Sequence, residues 1–295
     1  MFMTSGKEFF LKRYRELGEE IKQVSNPKAL RINTLRISEE KLLQILKAKG
    51  VELEKVPYLE YGYIIKKSNF SLGATKEHLL GYFYIQESAS QIPVQILDPK
   101  QNESIIDCCA SPGGKTTQIS QILNNKGTVY AYEMRDKRIP ALVINLERMG
   151  VVNVVVFNKD VLSAKGSFDK ILVDAPCSGN YAGDSEWFEK RDYEGIMKSQ
   201  EIQRKILGKA VELAKKGGII VYSTCSLEPE ENEINIDWIL KKGNVDVEET
   251  GLEIGDEGLT EAFGQKLDNR ISKCRRFWPY KTGTEGFFVC KLRKV

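Results

Sequence analysis

Five short apolar runs between residues 104 and 223 set the main pattern of the chain. Each is five or six residues long and rich in Ile, Val or Tyr, which is typical of buried strands. Predicted helices separate them, so the pattern indicates an α/β fold with a doubly wound, mostly parallel sheet and helices on both faces. The predicted strands are residues 104–109, 128–133, 153–157, 170–174 and 219–223.

The segment between the fourth and fifth runs has the periodicity of an amphipathic helix. Over residues 201–216 six apolar side chains share one face, and Gly217-Gly218 is expected to end the helix. The six are Ile202, Ile206, Leu207, Ala210, Val211 and Leu213.

A second amphipathic helix is predicted nearer the N-terminus, over residues 41–50. Its apolar positions are Leu42, Leu43, Ile45 and Leu46. The polar, Gly-containing stretch 68–76 follows and is expected to be a loop. We therefore predict a small α+β unit over residues 1–75 and a larger domain over residues 76–295.

Composition narrows the class of protein. The chain has 295 residues, 41% of them hydrophobic, and no apolar run near the ~18 residues of a membrane span. Its charged N-terminus has no signal-peptide core, so we expect a cytoplasmic protein without membrane partners. Six cysteines without a CxxC pair, and His78 as the one histidine, argue against both a disulfide scaffold and a metal site.

Charge is distributed unevenly along the chain. Residues 1–80 carry a net charge of +5 and residues 266–295 of +7, which leaves −9 for the middle of a chain whose total is +3. Basic ends around an acidic middle suit a polyanionic partner held by the flanks. An ordinary solvated surface is the alternative on charge alone.

The first predicted strand runs into a Gly-rich turn. Residues 107–117 read DCCASPGGKTT, in which small residues allow close backbone approach and a following helix directs N–H groups at a ligand. Gly114-Lys115-Thr116 is similar to the end of a P-loop, but that motif requires glycine where Cys109 stands, and no G-x-G-x-x-G fingerprint is present. A turn needed only for packing is the alternative.

Acidic residues stand at the next strand ends. Glu133 ends the second strand, Asp160 follows the third and Asp174 ends the fourth. Taken singly, each of these acids is interpreted as a helix cap or a loop carboxylate. Together with the Gly-rich turn, the three acids predict a nucleoside pocket. The acids complement a cationic sulfonium and would repel a phosphate, so they favour S-adenosylmethionine over ATP or NAD.

Two cysteines follow strands in similar turns. Cys177 follows the fourth strand and Cys225 the fifth, and a thiol among backbone N–H groups at a sheet rim can act as a nucleophile. A small buried hydrophobe is the alternative, and it is our expectation for Cys108 and Cys290. At Cys109 we expect the backbone of the loop, rather than the thiol, to have the functional role.

Six segments in order resemble the Sun-type (NSUN) RNA cytosine-C5 methyltransferases. The three most specific are DCCASPGGKTT, DAPCSGN (174–180) and YSTCSLEPEENE (222–233). Residues 31–36, 81–97 and 276–289 are similar to further family segments, although Tyr280 stands where many members have His. The short length resembles compact archaeal-type tRNA members. The resemblance implies a Rossmann-like methyltransferase domain over 76–295 and an RNA-binding unit over 1–75.

The resemblance also implies catalytic roles. Cys225 would be the nucleophile that adds to carbon 6 of cytosine, and Cys177 would assist release of the covalent product. Asp174 would hydrogen-bond the cytosine edge with Lys115 beside it, and either could take part in proton transfer. The presence of both cysteine motifs separates an RNA enzyme from a DNA enzyme.

The resemblance also implies a binding site for S-adenosylmethionine. Glu133 would hold the ribose, Asp160 the adenine, Arg138 would brace the pocket, and Asp174 would border both ligands. The turn around the methionine end would consist of Cys109, Ala110, Ser111, Pro112, Gly113, Gly114 and Lys115.

The expected partner is RNA, with tRNA as substrate, no DNA and no obligate protein partner. The alternatives are an rRNA substrate, a non-catalytic RNA-binding or assembly protein on the same fold, and a methyltransferase for a protein or small molecule. Near the C-terminus, Arg275, Arg276, Phe277 and Trp278 could stack on RNA, with a buried Trp278 as the alternative.

Overall fold

The computed structural model describes residues 4–22, 24 and 27–295. The chain divides into two compact units, one formed by Pro27–Leu172 and the other by the N-terminal segment up to residue 26 together with Val173–Val295. Helix α1 (Lys7–Glu16) belongs to the latter. Residues 1–3, 23, 25 and 26 of the predicted 1–75 unit lie outside the described residues, and its boundary at residue 75 stays a prediction.

An antiparallel sheet with one packed helix opens the Pro27–Leu172 unit. Its elements are β1 (Ala29–Ile32), α2 (Glu39–Ala48), β2 (Glu52–Lys55), β3 (Gly62–Lys67), α3 (Lys76–Leu79) and β4 (Phe83–Ile85). The strand order is β2-β3-β1-β4. Leu42 and Leu46 of α2 are buried against Leu30 and Ile32 of β1, which confirms the amphipathic helix that the sequence predicts.

A parallel sheet follows in the same unit. Its elements are α4 (Ser88–Leu97), β5 (Ile105–Asp107), α5 (Gly114–Ile122), β6 (Val129–Tyr132), α6 (Ile139–Met149), β7 (Val154–Phe157) and β8 (Phe168–Asp174). The order β8-β5-β6-β7 is parallel throughout. Four predicted strands are therefore present with slightly shifted ends, and the α/β fold class is confirmed. The last two residues of β8 belong to the other unit.

That other unit continues with a mainly antiparallel arrangement. The strand order is β11-β14-β15-β9-β8, and β10 also pairs with β15. The pairs β11–β14, β14–β15, β15–β9 and β10–β15 are antiparallel. The sheet is therefore mixed rather than mostly parallel, because the C-terminal segment folds back as a β14–β15 hairpin. The elements are α7 (Trp187–Lys190), α8 (Tyr193–Leu213), β9 (Ala214–Thr224), α9 (Glu233–Leu240), β10 (Val245–Glu248), β11 (Asp256–Glu257), β12 (Glu261–Ala262), β13 (Gln265–Lys266), β14 (Arg275–Phe277), α10 (Pro279–Thr282) and β15 (Phe287–Lys294).

Helix α8 ends earlier than the sequence predicts. It stops at Leu213, and the chain turns directly into β9, so Gly217 and Gly218 lie in the strand. Ala214 already has extended backbone angles, because the apolar helical periodicity ends with Leu213. Ile202 is 49% exposed and lies off the buried face. In the described part of the chain, no helix is both long and apolar enough to cross a membrane.

An aromatic cluster joins α1 to the C-terminal hairpin within their unit. Phe10 and Tyr14 of α1 are buried with Trp187 and Trp278, and Tyr14 meets Trp278 edge to face at 5.8 Å. Trp278 is only 1% exposed. Arg276 is also buried, in an ion pair with Glu233. Of the two alternatives for this segment, the buried Trp278 is therefore confirmed. Arg276 and Phe277 are buried as well, so these three side chains are not placed to stack on RNA.

Candidate active site

Two thiols meet at the ends of β8 and β9. The sulfur atoms of Cys177 and Cys225 lie 3.1 Å apart, and both residues are partly exposed. Strand β8 leads into the Cys177 turn and β9 into the Cys225 turn, so neighbouring strand ends bring together two residues that are far apart in sequence. Cys108 and Cys290 are buried, as the sequence predicts. The paired thiols can support nucleophilic chemistry.

Asp174 lies at the same pair of strand ends. Its Oδ1 accepts a hydrogen bond from the Ser223 hydroxyl at 2.9 Å. One residue further, the Ala175 N–H donates to the Ser223 carbonyl at 2.9 Å. Asp174 is partly exposed. The unit therefore presents a carboxylate and two thiols from adjacent turns.

The surroundings of Cys177 favour its protonated thiol. Its pKa is raised well above the usual range, first by the hydrogen bond with Cys225, then by burial and by the nearby charges of Cys225 and Glu231. A thiol with a raised pKa is a poor nucleophile but can donate a hydrogen bond. The arrangement therefore suits Cys177 as a donor toward the Cys225 sulfur.

A buried carboxylate behind the thiols was not among the predicted site residues. Glu231 accepts hydrogen bonds from the Ser178 N–H at 3.1 Å, from the Ser178 and Ser226 hydroxyls, and from Gln203 at 2.6 Å. Burial raises its pKa, and these hydrogen bonds offset only part of that rise. The available signal was the Cys-Ser pair repeated in both cysteine motifs, together with a glutamate in EPEENE.

Asn180 is a second residue that the sequence reasoning missed. Its side-chain amide donates to the carbonyls of Cys225 at 2.7 Å and Gly286 at 3.0 Å. It stands three residues after Cys177, so it ties the backbone of one cysteine turn to the other. Its place in DAPCSGN was the signal available for it.

The Gly-rich turn of the other unit is built around Asp107 and Gly113. Asp107 accepts from the Cys109 N–H at 3.3 Å and from the Thr116 hydroxyl at 2.7 Å. Gly113 has a φ of 103°, and a Cβ there would lie 3.2 Å from Leu142. Helix α5 begins at the next residue, so its N-terminal N–H groups follow the turn directly.

Two predicted acids follow the neighbouring strands of that unit. Glu133 is 5% exposed, accepts from the Arg135 N–H at 2.8 Å and lies 3.5 Å from Arg138. Arg138 also donates to the Ser111 carbonyl, which links the acid to the Gly-rich turn. Asp160 is partly exposed and accepts from the Leu162 N–H at 2.9 Å.

Lys115 ends the same turn, and Arg31 packs against it. Lys115 donates to the Ser90 hydroxyl at 2.9 Å. Arg31 is fully buried and donates to the Gly114 carbonyl at 2.7 Å and the Thr117 hydroxyl at 2.8 Å. Burial lowers the pKa of Arg31 to about 9. Arg31 thus holds the first turn of α5, a role that the sequence reasoning did not assign.

The donor set of this unit fits a cationic nucleoside better than a phosphate. Glu133 and Asp160 supply carboxylates, which can accept from ribose hydroxyls and an adenine amine. The turn with Gly113 allows close backbone approach. These residues therefore suit S-adenosylmethionine. The described residues contain no group of three or more His, Cys, Asp or Glu side chains placed to hold a metal ion.

Comparisons with known proteins give the family. The profile described as "16S rRNA methyltransferase RsmB/F" matches residues 94–293, and that of the N-terminal domain of 16S rRNA methyltransferase RsmF matches residues 1–88. A Pyrococcus abyssi tRNA (cytosine(49)-C(5))-methyltransferase is 34% identical over 90% of this chain and 88% of its own length. A mouse 28S rRNA (cytosine-C(5))-methyltransferase is 35% identical over 93% of this chain.

A solved structure agrees with these sequence matches. A methyltransferase homologue from Pyrococcus horikoshii superposes with a TM-score of 0.86 at 37% identity and covers 98% of this chain and 95% of its own. The chain spans only 36% of the mouse relative and 58% of a Vibrio vulnificus ribosomal RNA small subunit methyltransferase F. The resemblance inferred from the six motifs is confirmed: this chain belongs to the RsmB/F (Sun) family of RNA cytosine-C5 methyltransferases.

Proposed function

We propose that this protein methylates carbon 5 of cytosine in RNA, with tRNA as the substrate, through a covalent bond between Cys225 and the base. The observation that carries the proposal is the 3.1 Å contact between the Cys177 and Cys225 sulfur atoms beside Asp174. The paired thiols account for chemistry that a purely RNA-binding protein would not need.

The need for a thiol follows from the chemistry of cytosine. Carbon 5 is too weak a nucleophile until a thiolate has added to carbon 6, which makes the ring an enamine. The Cys225 thiol gives up its proton to a base, and its sulfur forms that bond. After carbon 5 has gained its methyl group, a base removes the carbon-5 proton, the S–C6 bond breaks, and its electron pair returns to sulfur. Asp174 and Lys115 are the candidates for the proton transfer.

S-adenosylmethionine, when bound, supplies an electrophilic methyl group on a sulfonium. In this proposal Glu133 holds the ribose, Asp160 the adenine, and the turn from Cys109 to Lys115 the methionine end, with Arg138 bracing Glu133. The hydrogen bonds that already fix Glu133 and the turn support this assignment, because a preorganised site loses less entropy on binding.

The proposal of a tRNA substrate is supported by the P. abyssi tRNA (cytosine(49)-C(5))-methyltransferase, which is 34% identical to this chain. The mouse 28S rRNA enzyme is 35% identical, so rRNA is the alternative substrate. The basic ends of the chain are proposed to contact RNA phosphates. A cytoplasmic location would keep the six free cysteines reduced, as this chemistry requires.

Methyl transfer to defined RNAs tests the proposal. The protein is incubated with labelled S-adenosylmethionine and either tRNA or rRNA fragments, and bisulfite sequencing locates the product. We expect 5-methylcytosine in tRNA. Methylation confined to rRNA would reject the tRNA assignment, and no methyl transfer to any RNA would favour the non-catalytic RNA-binding alternative.

A further inference from the structure

The residue after each paired cysteine donates to one and the same carboxylate. The Ser178 hydroxyl and the Ser226 hydroxyl both reach Oε1 of Glu231, the latter at 2.8 Å. The Ser178 N–H donates to Oε2 at 3.1 Å. The two hydroxyls also lie 3.3 Å from each other. One buried side chain therefore bonds both turns that carry the thiols.

Helix α8 holds the same carboxylate from a third side. Gln203 donates to Oε2 of Glu231 at 2.6 Å and to the Pro176 carbonyl at 2.9 Å, so it anchors the acid and the Cys177 turn together. Its own amide oxygen accepts from Asn235 at 3.0 Å. The side chain of Glu231 consequently has little freedom to move.

The free-energy cost of burying Glu231 indicates that this side chain has a role other than packing. Glu231 is fully buried, and a buried carboxylate is unfavourable unless hydrogen bonds satisfy it. Arg13, Glu228 and Glu230 form a separate ion-pair cluster, so Glu231 is satisfied by neutral donors from the two cysteine turns and α8. A packed apolar side chain would leave those donors unpaired.

We infer that Glu231 is a positioning residue that clamps the Cys177 and Cys225 turns together so that Cys177 can assist release of the methylated base. The inference rests on the proposed roles of the two cysteines. Attack on carbon 6 needs the Cys225 sulfur alone. Release needs both, because the Cys177 S–H donates to the departing sulfur as the S–C6 bond breaks and its electron pair returns to Cys225.

Substitution of Glu231 separates release from attack. In Glu231→Ala the N–H of Ser178 loses its acceptor and the amide of Gln203 keeps only the Pro176 carbonyl, so the turns should separate. We expect single-turnover methyl transfer to change little, release to slow by about tenfold or more, and a denaturant-resistant protein–RNA adduct to accumulate. Glu231→Gln should restore release, because a flipped amide can accept from those two groups and donate to both serine hydroxyls.

Controls make the result specific. Glu230→Gln changes the neighbouring buried acid, which contacts Arg13 rather than the cysteine turns, and should release product like the wild type. If Glu231→Ala does not fold, the double variant Ser178→Ala/Ser226→Ala tests the same clamp and should accumulate the adduct. Normal release by either folded variant would overturn the inference, as would equal loss of attack and release in both Glu231 variants.

The two proposals fail in different ways. Methyl transfer by Cys225→Ala would reject the proposed function. Normal release by Glu231→Ala, in an enzyme whose Cys225→Ala variant is inactive, would reject only the clamp.

Discussion

Arg13 of helix α1 donates to the buried carboxylate of Glu228 from 215 residues away along the chain. Its Nη2 lies 3.0 Å from Glu228 and 2.7 Å from Glu230, and the Tyr14 hydroxyl donates to Glu228 at 2.7 Å. One guanidinium thus serves two carboxylates. The contact fastens α1 to the segment that follows Cys225 in the same unit.

Burial of the Glu228 carboxylate should make stability depend on pH. Burial is the main cause that raises the pKa of Glu228 from 4.5 to about 7; Arg13 opposes the rise and Glu230 adds to it. Because folding raises this pKa, the stabilisation by the bound proton is complete below about pH 4.5 and is lost as the pH rises through about 7. Relative to Glu228→Gln, the wild-type free energy of unfolding should fall by ~1–3 kcal/mol from about pH 5 to about pH 8.

Urea unfolding at a series of pH values measures this difference. Glu8→Gln changes an exposed glutamate of α1 and should follow the wild-type pH profile. Parallel profiles for the wild type and Glu228→Gln would contradict a raised pKa at Glu228.

Removal of the proposed nucleophile should abolish chemistry but not cofactor binding. Cys225→Ala should transfer no methyl group to RNA, because nothing adds to carbon 6, and should bind S-adenosylmethionine nearly as well as the wild type. Labelled-methyl transfer and calorimetry measure the two properties. Cys290→Ala, a buried cysteine in β15, should stay active, and activity in Cys225→Ala would exclude Cys225 as the nucleophile.

Removal of the second thiol should trap the product. Cys177→Ala should form the S–C6 bond but release RNA slowly, since the departing sulfur loses the thiol that lies 3.1 Å away and is proposed to donate to it. The expected readout is a shifted, denaturant-resistant band in gel electrophoresis. If Cys225→Ala shows that band instead, the two cysteines have exchanged roles.

The buried Arg31 should support the Gly-rich turn. Arg31→Lys removes most of the bonds to α5, including those to Thr117 and Gln121, and should lower the free energy of unfolding by ~2–4 kcal/mol. Binding of S-adenosylmethionine should weaken as well, which calorimetry measures. Arg36→Lys alters an exposed arginine of the same motif and should change little. Equal affinities for the cofactor in Arg31→Lys and Arg36→Lys would argue against a role of Arg31 in supporting the Gly-rich turn.

Local patterns were sufficient for much of the fold. The apolar runs predicted the strands β5 to β9, and the spacing of Leu42 and Leu46 predicted α2, because burial on one face leaves a period in the sequence. Two features escaped this reasoning. The end of α8 at Leu213 precedes Gly217-Gly218, where the sequence predicted it, and burial of Trp278 depends on the aromatic cluster around Tyr14.

The sequence by itself determined the family, the α/β class and the chemical types at the strand ends, because motifs and periodicity are local properties. Tertiary structure alone decided which polar groups meet. Cys177 and Cys225 are 48 residues apart and come into contact only because β8 and β9 are neighbours. Glu231 looks like one acid among several in EPEENE until packing buries it between two serine hydroxyls. Hydrogen bonds of this kind depend on which distant segments pair. Such pairing produces no periodic pattern of residues in the sequence.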